Sequence, residues 1–152
     1  YGEMLGYGTC FNPGSLYRYD PEAKAPIAAI QEALADASIE PEEIDAISAC
    51  ANSTKLFDAT EETALEAVFG SRAANTPRTV VKAVVGESFS AGAALQLAVA
   101  LGVLAQQTQR SERRLFRQGT RVAAVNDDGP STALIDSFGP TGVSSALVVR
   151  RQ

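Results

Sequence analysis

The sequence predicts an α/β fold, a mixed and mostly parallel five-stranded sheet flanked by helices. Three observations carry this prediction. Strand-like and helix-like segments alternate along most of the chain, which specifies layers with a largely parallel sheet. The last two apolar runs, Ser131–Ile135 and Ser145–Val149, are joined by a short loop and read as antiparallel neighbours. Between them and the first half, Thr79–Ala105 reads as a β-branched strand, a turn at Gly86 and an apolar helix with Gln96 as its one strongly polar residue. A helix without a polar face must be covered on all sides. One sheet covers one side, so this helix is expected to lie between two sheets, and 152 residues need not contain both.

Taken in order, Gly2–Gly8 has the apolar content and bounding glycines of a strand. Pro26 then suits a first helical turn, and Ile27, Ile30, Leu34 and Ala37 repeat at helical spacing, leaving Glu32 and Asp36 outward. Ile39–Asp45 is a capped turn into a short strand, Ala46–Cys50. A small-residue loop, Ala51–Lys55, leads to a second amphipathic helix over Thr60–Phe69, with Leu65, Val68 and Phe69 inward and Gly70 as its stop. After the Thr79–Val85 strand and the apolar helix, Gln106–Gln118 is polar and basic. Thr120–Val125 is a strand candidate and Asp127–Pro130 is turn chemistry.

Composition bounds the function classes. Apolar content of 45% and charged content of 20% are those of an ordinary globular chain. The most apolar stretch, Ala91–Ala105, is too short for a membrane span, and no membrane partner is expected. A net charge of −5 argues against nucleic acid. Cys10 and Cys50 form no CxxC pair, so a reducing, cytoplasmic setting is the expectation. The chain has no histidine, which removes the commonest general base and the commonest metal ligand together. No cofactor and no metal are expected. A start at YGEMLGYG, without Met, is expected of a fragment or of one half of a processed chain.

Asp45–Glu61 resembles the C-terminal half of the β-ketoacyl-[acyl-carrier-protein] synthases, which have the thiolase fold. Asp45, Ala49, Ser53, Thr54, Asp58 and Glu61 fit that family's D-x-x-x-A-H-G-T-x-T-x-x-x-D-x-x-E pattern. Lys82–Ala93 is similar to its K-S/A-x-x-G-H-x-x-G-A-x-G segment, and Asp136–Ser144 to its N-S-F-G-F-G-G-T-N segment. The resemblance implies that residues 1–152 are one thiolase-like half, with its apolar helix buried against a second half. It also implies that residues 1–10 are the last strand of that other half's sheet.

The departures bear on activity. In the active enzymes a cysteine of the first half is acylated, and two histidines of the second half support decarboxylation. Cys50 matches the first histidine and Glu87 the second. A neutral imidazole donates a hydrogen bond where an ionised carboxylate only accepts; a buried Glu87 could stay protonated and donate. Pro140 stands where the family has a gating phenylalanine whose N–H serves the oxyanion hole. Proline has no N–H, and losing one such donor costs on the order of 10²–10³ in rate. Lys82, Glu61, Asp58 and Phe138 are retained, and the resemblance implies that Lys82 and Glu61 form a buried ion pair. Ser90 departs from the usual glycine.

This pattern resembles the chain-length-factor subunits that pair with an active ketosynthase. The expected role is a non-catalytic subunit or half-domain of a fatty acid or polyketide synthase, shaping an acyl pocket beside a catalytic partner. An atypical condensing enzyme, with its nucleophile on the other half and Glu87 or Cys50 in place of histidine, is the alternative; a pure assembly protein is a third. Cys50 at a strand end also reads as a small buried hydrophobe, and Glu87 as a carboxylate stabilising a helix start. Arg110, Arg113, Arg114 and Arg117 read either as a docking face for an acyl carrier protein or partner subunit, or as a solvated helix end. Dimerisation through the fold's other half is expected by analogy.

Overall fold

The computed structural model describes residues 2–15, 20–106, 131–139 and 141–152. A five-stranded sheet runs in the order β1-β5-β4-β2-β3, with β1 at Glu3–Phe11, β2 at Ala46–Ser48, β3 at Arg78–Thr79, β4 at Thr132–Phe138 and β5 at Val143–Arg150. The β1–β5 and β5–β4 ladders are antiparallel, and the β4–β2 and β2–β3 ladders are parallel. The sheet is therefore mixed as expected, with its parallel part confined to short strands. Helices α1 (Lys24–Ala37) and α2 (Lys55–Phe69) cover one face, and α4 (Gly92–Gln106) lies on the other.

Alternation along the strands separates the two cores, because successive side chains point to opposite faces. Leu134, Ala146 and Val148 join Ile30, Leu34, Leu65 and Phe69 on the α1/α2 side. Ala133, Ile135 and Val149 join Ala100 and Leu104 of α4 on the other. Helix α4 buries one stripe, Gly92, Gln96, Ala100 and Leu104, at four-residue spacing. Its opposite side stays open at Ala94, Leu95 and Ala98. None of the helices among the described residues is long and apolar enough to cross a membrane.

Three expectations are corrected. The first strand belongs to this sheet: all of Glu3–Phe11 pairs along β5, with a bulge between Met4 and Gly6. Gly6 and Gly8 let α1 lie backbone to backbone on it, since a Cβ at Gly8 would overlap Ala29 O and Ala33 N. Glu32 and Asp36, expected simply to face out, accept the outer-edge N–H groups of Thr9 and Tyr7 at 2.8 and 2.9 Å. They cover an otherwise open strand edge.

The second correction concerns Thr79–Val85. Only Arg78–Thr79 is strand, and Lys82–Val85 forms a short helix, α3. The last ladder bond runs from Ala49 N–H to Thr79 O. Beyond it no described residue pairs with this edge segment, and β propensity without a pleated partner does not hold a strand. Val84 and Val85 are left 69% and 54% exposed. Third, α2 begins at Lys55 rather than Thr60, because Asn52 Oδ1 accepts the Thr54 N–H and turns the chain into the helix early. The strand candidate Thr120–Val125 lies outside the described residues, as do residues 107–118 and Asp127–Pro130.

Replacing Gly8 by alanine tests the close packing of α1 on β1. Glycine to alanine in a strand is ordinarily favourable, but here the methyl meets fixed backbone. We expect a loss of about 1–3 kcal/mol in urea unfolding, and an unchanged midpoint would contradict the packing.

Candidate functional site

The site forms where the parallel strands end. Burial, hydrogen bonding and charge all converge on Cys50, two residues beyond β2. Its backbone N–H lies 2.6 Å from Glu61 Oε1 of α2 and 2.6 Å from Asp136 Oδ1 of β4. Glu61 also accepts the Ala51 N–H through both oxygens, at 3.1 and 3.3 Å. Both acids are buried, at 3% and 2% exposure. Burial pushes the Asp136 carboxyl well above the usual range, and the Glu61 charge adds to this. Burial raises Glu61 as well, against the opposing hydrogen bonds.

The other acids of Asp45–Glu61 hold backbone too. Asp45 Oδ2 accepts the N–H groups of Ser131 and Thr132 at 2.8 and 3.0 Å, fixing the start of β4 beside β2. Asp58 Oδ1 accepts the Asn52 N–H at 3.1 Å and folds the loop over the start of α2. Across the sheet, Gln96 of α4 donates its amide hydrogens to Ser48 O at 3.0 Å and Asp136 O at 2.9 Å. The single polar residue in the body of α4 thus ties together the ends of β2 and β4.

The Cys50 side chain lies among Phe57, Phe138 and Lys82. The two rings stack at 4.5 Å with planes 8° apart. The thiol donates to Phe138 O at 3.4 Å, and Lys82 Nζ is 3.5 Å from the sulfur and 5.6 Å from the Phe57 centroid. Burial above all pushes the Cys50 thiol up to about 12. At neutral pH it is a thiol and not a thiolate, and the thiolate is the nucleophilic form.

Glu87 is exposed at the mouth of α4. Its Oε2 is 2.9 Å from Lys82 Nζ, and its Oε1 accepts the Phe89 N–H at 2.8 Å. The hydrogen bond from Lys82 draws the Glu87 carboxyl below its ordinary range. Burial alone would lower Lys82, but its hydrogen bond to Glu87 and its contacts with Cys50 leave it raised. Both groups are charged at neutral pH. The protonated, buried Glu87 that could have donated a hydrogen bond is not found.

The expected Lys82–Glu61 ion pair is not found either. Lys82 pairs with Glu87, while Glu61 is turned to the Cys50 and Ala51 amides and to Asp136. The cause is positional. The chain leaves β3 into α3, so Lys82 stands over the site rather than along a strand next to α2. The positive charge of Arg78 acts on Glu61 from β3, but Arg78 is itself paired with Glu62.

A beta-ketoacyl synthase, C-terminal domain family matches residues 1–116. The chain belongs to the β-ketoacyl synthase family. Among its relatives, the actinorhodin polyketide putative beta-ketoacyl synthase 2 of Streptomyces coelicolor is 32% identical, covering 99% of this chain and 37% of that protein. The 3-oxoacyl-[acyl-carrier-protein] synthase 2 of Coxiella burnetii is 27% identical, covering 99% and 38%. In solved structures, a ketosynthase in complex with its chain length factor from Xenorhabdus doucetiae matches at 25% identity and a TM-score of 0.78, covering 98% of this chain and 39% of that one. The ishigamide ketosynthase/chain length factor matches at 27% identity and 0.76, covering 99% and 38%. The chain thus spans under two-fifths of the length of these relatives.

Of the residues singled out in the sequence, the fold brings together Cys50, Glu61, Lys82, Glu87 and Phe138. Pro140, Arg110, Arg113, Arg114 and Arg117 lie outside the described residues. Sequence reasoning missed Asp136, Gln96 and Phe57 as members of the site. A carboxylate in place of the first asparagine of the N-S-F-G segment, and one amide in an apolar helix, were the available signals.

Thiol labelling tests the state of Cys50. With iodoacetamide at neutral pH, we expect mass spectrometry to find Cys10 modified and Cys50 untouched in the folded chain. Alkylation of Cys50 at the faster rate would contradict a buried, protonated thiol.

Proposed function

We propose that this chain is a non-catalytic part of a ketosynthase-like assembly of the fatty acid or polyketide type. It completes a thiolase-like fold and lines an acyl pocket beside a catalytic partner. The observation that carries this reading is the pairing of ionised Glu87 with Lys82. At the position where the family resemblance calls for a hydrogen-bond-donating imidazole, a carboxylate accepts, and it would repel a developing oxyanion. At the other histidine position, the Cys50 thiol spends its weak donor on Phe138 O. No residue of this chain is assigned a catalytic role.

The partner in this reading is the remainder of the fold or a second ketosynthase-like subunit, set against the open side of α4. An acyl carrier protein is the further partner, and dimerisation runs through the other half. The complexes of ketosynthase with chain length factor among its structural neighbours support this choice. A cytoplasmic setting belongs to the same reading, in keeping with free thiols at Cys10 and Cys50.

One observation favours the alternative of an atypical condensing enzyme with its nucleophile elsewhere. Lys82 holds an ammonium 3.5 Å from Cys50 Sγ, and a fixed cation can stabilise an oxyanion. The two readings separate in an acylation assay on the assembled protein with radiolabelled acyl-carrier-protein thioester. The proposal expects no label on this chain, and turnover unchanged by Lys82→Met once assembly is intact. Label on this chain that is abolished by Cys50→Ala, or condensation lost in Lys82→Met with assembly preserved, would favour the enzyme.

A further inference from the structure

We propose that Glu61 and Asp136 share one proton and act as a pH-sensitive latch, an acid–carboxylate pair that clamps the Cys50 amide between α2 and β4. The geometry points to it. Two carboxyl oxygens approach a single N–H donor at 2.6 Å each, so two buried acids face each other across one amide. Two carboxylates have no proton to place between them, and their like charges repel.

The roles within the pair follow from their other contacts. Glu61 accepts N–H groups from both Cys50 and Ala51, as an ionised carboxylate does. Asp136 accepts the Cys50 N–H alone, and its Oδ2 is buried without a hydrogen-bond partner. An orphaned, buried oxygen is far less costly on a neutral acid than on a carboxylate. Asp136 therefore carries the proton and Glu61 the charge.

The surrounding groups do not supply a second counter-charge. From β3, Arg78 acts on both acids but is paired with Glu62 of α2. From α3, Lys82 is paired with Glu87. Asp58, also on α2, is engaged with the Asn52 amide. From α4, the neighbouring group is the uncharged Gln96, bonded to the Asp136 backbone oxygen. The Cys50 thiol is itself neutral.

Loss of the shared proton to solvent leaves two buried charges on one amide, and like charges at that range cannot both persist. The pair must then part, freeing the loop Ala51–Thr54 from β4. The sign is that of acids whose folded values are raised. The native state holds more protons than the unfolded one, so stability is greatest near the ordinary carboxylate range and falls as pH rises above it. This inference does not depend on whether the chain is catalytic.

The test compares the full chain with Asp136→Asn, an amide of the same shape that cannot ionise. Thermal midpoints are followed from about pH 5 to about pH 9, above the ordinary carboxylate values. We expect the parent midpoint to fall with rising pH, and the Asp136→Asn midpoint to fall less over the same range. A second readout covers the case of a poorly folding variant. Infrared spectra of the parent chain, labelled with ¹³C at aspartate carboxyls, should show a protonated-carboxyl stretch at neutral pH that disappears in alkali. Equal pH slopes in two folded proteins, or no protonated-carboxyl stretch at neutral pH, would overturn the proposal.

Discussion

A single backbone amide organises this molecule. The Cys50 N–H sits between a carboxyl from α2 and a carboxyl from β4, so the strand end, the helix and the neighbouring strand meet at one proton donor. On the far side of the sheet, Gln96 binds the carbonyls of Ser48 and Asp136, joining the same two strands from α4. The three layers are cross-braced at one point by hydrogen bonds buried from water. Such networks rigidify when fully satisfied and are costly when broken.

That arrangement decides what the site can do. Because Glu61 is committed to backbone amides, it does not pair with Lys82, and Lys82 is left to Glu87 at the mouth of α4. The result is a neutral, buried thiol beneath a charged ion pair of which Glu87 is exposed and Lys82 largely covered. The stacked Phe57 and Phe138 rings wall the thiol from solvent and bring the Phe138 carbonyl within its reach. Where the family resemblance would place two imidazoles stand an ionised carboxylate, Glu87, and a thiol whose weak donor is engaged by Phe138 O. The acids of Asp45–Glu61 hold main chain in place. The retained motif thus keeps the scaffold of a β-ketoacyl synthase, while the replaced positions carry different chemistry.

Much of this was legible in the sequence. Helix α4 follows from a long Ala/Leu/Val run, and the β4–β5 hairpin from two apolar runs and a short loop. What escaped was set by neighbours rather than by local preference. Val84 and Val85 favour strands, but beside β2 no described residue pairs with them. The resemblance assigns Gly2–Gly8 to another sheet, whereas it pairs with β5 here and Gly6 and Gly8 admit α1 close against it. The Lys82–Glu61 pair was inferred from charge and motif position. The turn into α3, which no spacing reveals, gives each residue a different partner. Gln96 was noticed as an exception in an apolar helix, but its two carbonyl partners come from segments 40 and 48 residues away.

The most direct measurement is hydrogen exchange at the Cys50 amide, followed residue by residue by NMR in the folded chain. This amide lies beyond the last residue of β2, at the start of an irregular loop where exchange is ordinarily fast. The account predicts protection comparable to that of the central β4 amides, since opening it requires parting both carboxyls. Exchange at the rate of the following loop, Asn52–Thr54, would show that the amide is not held and would contradict the account.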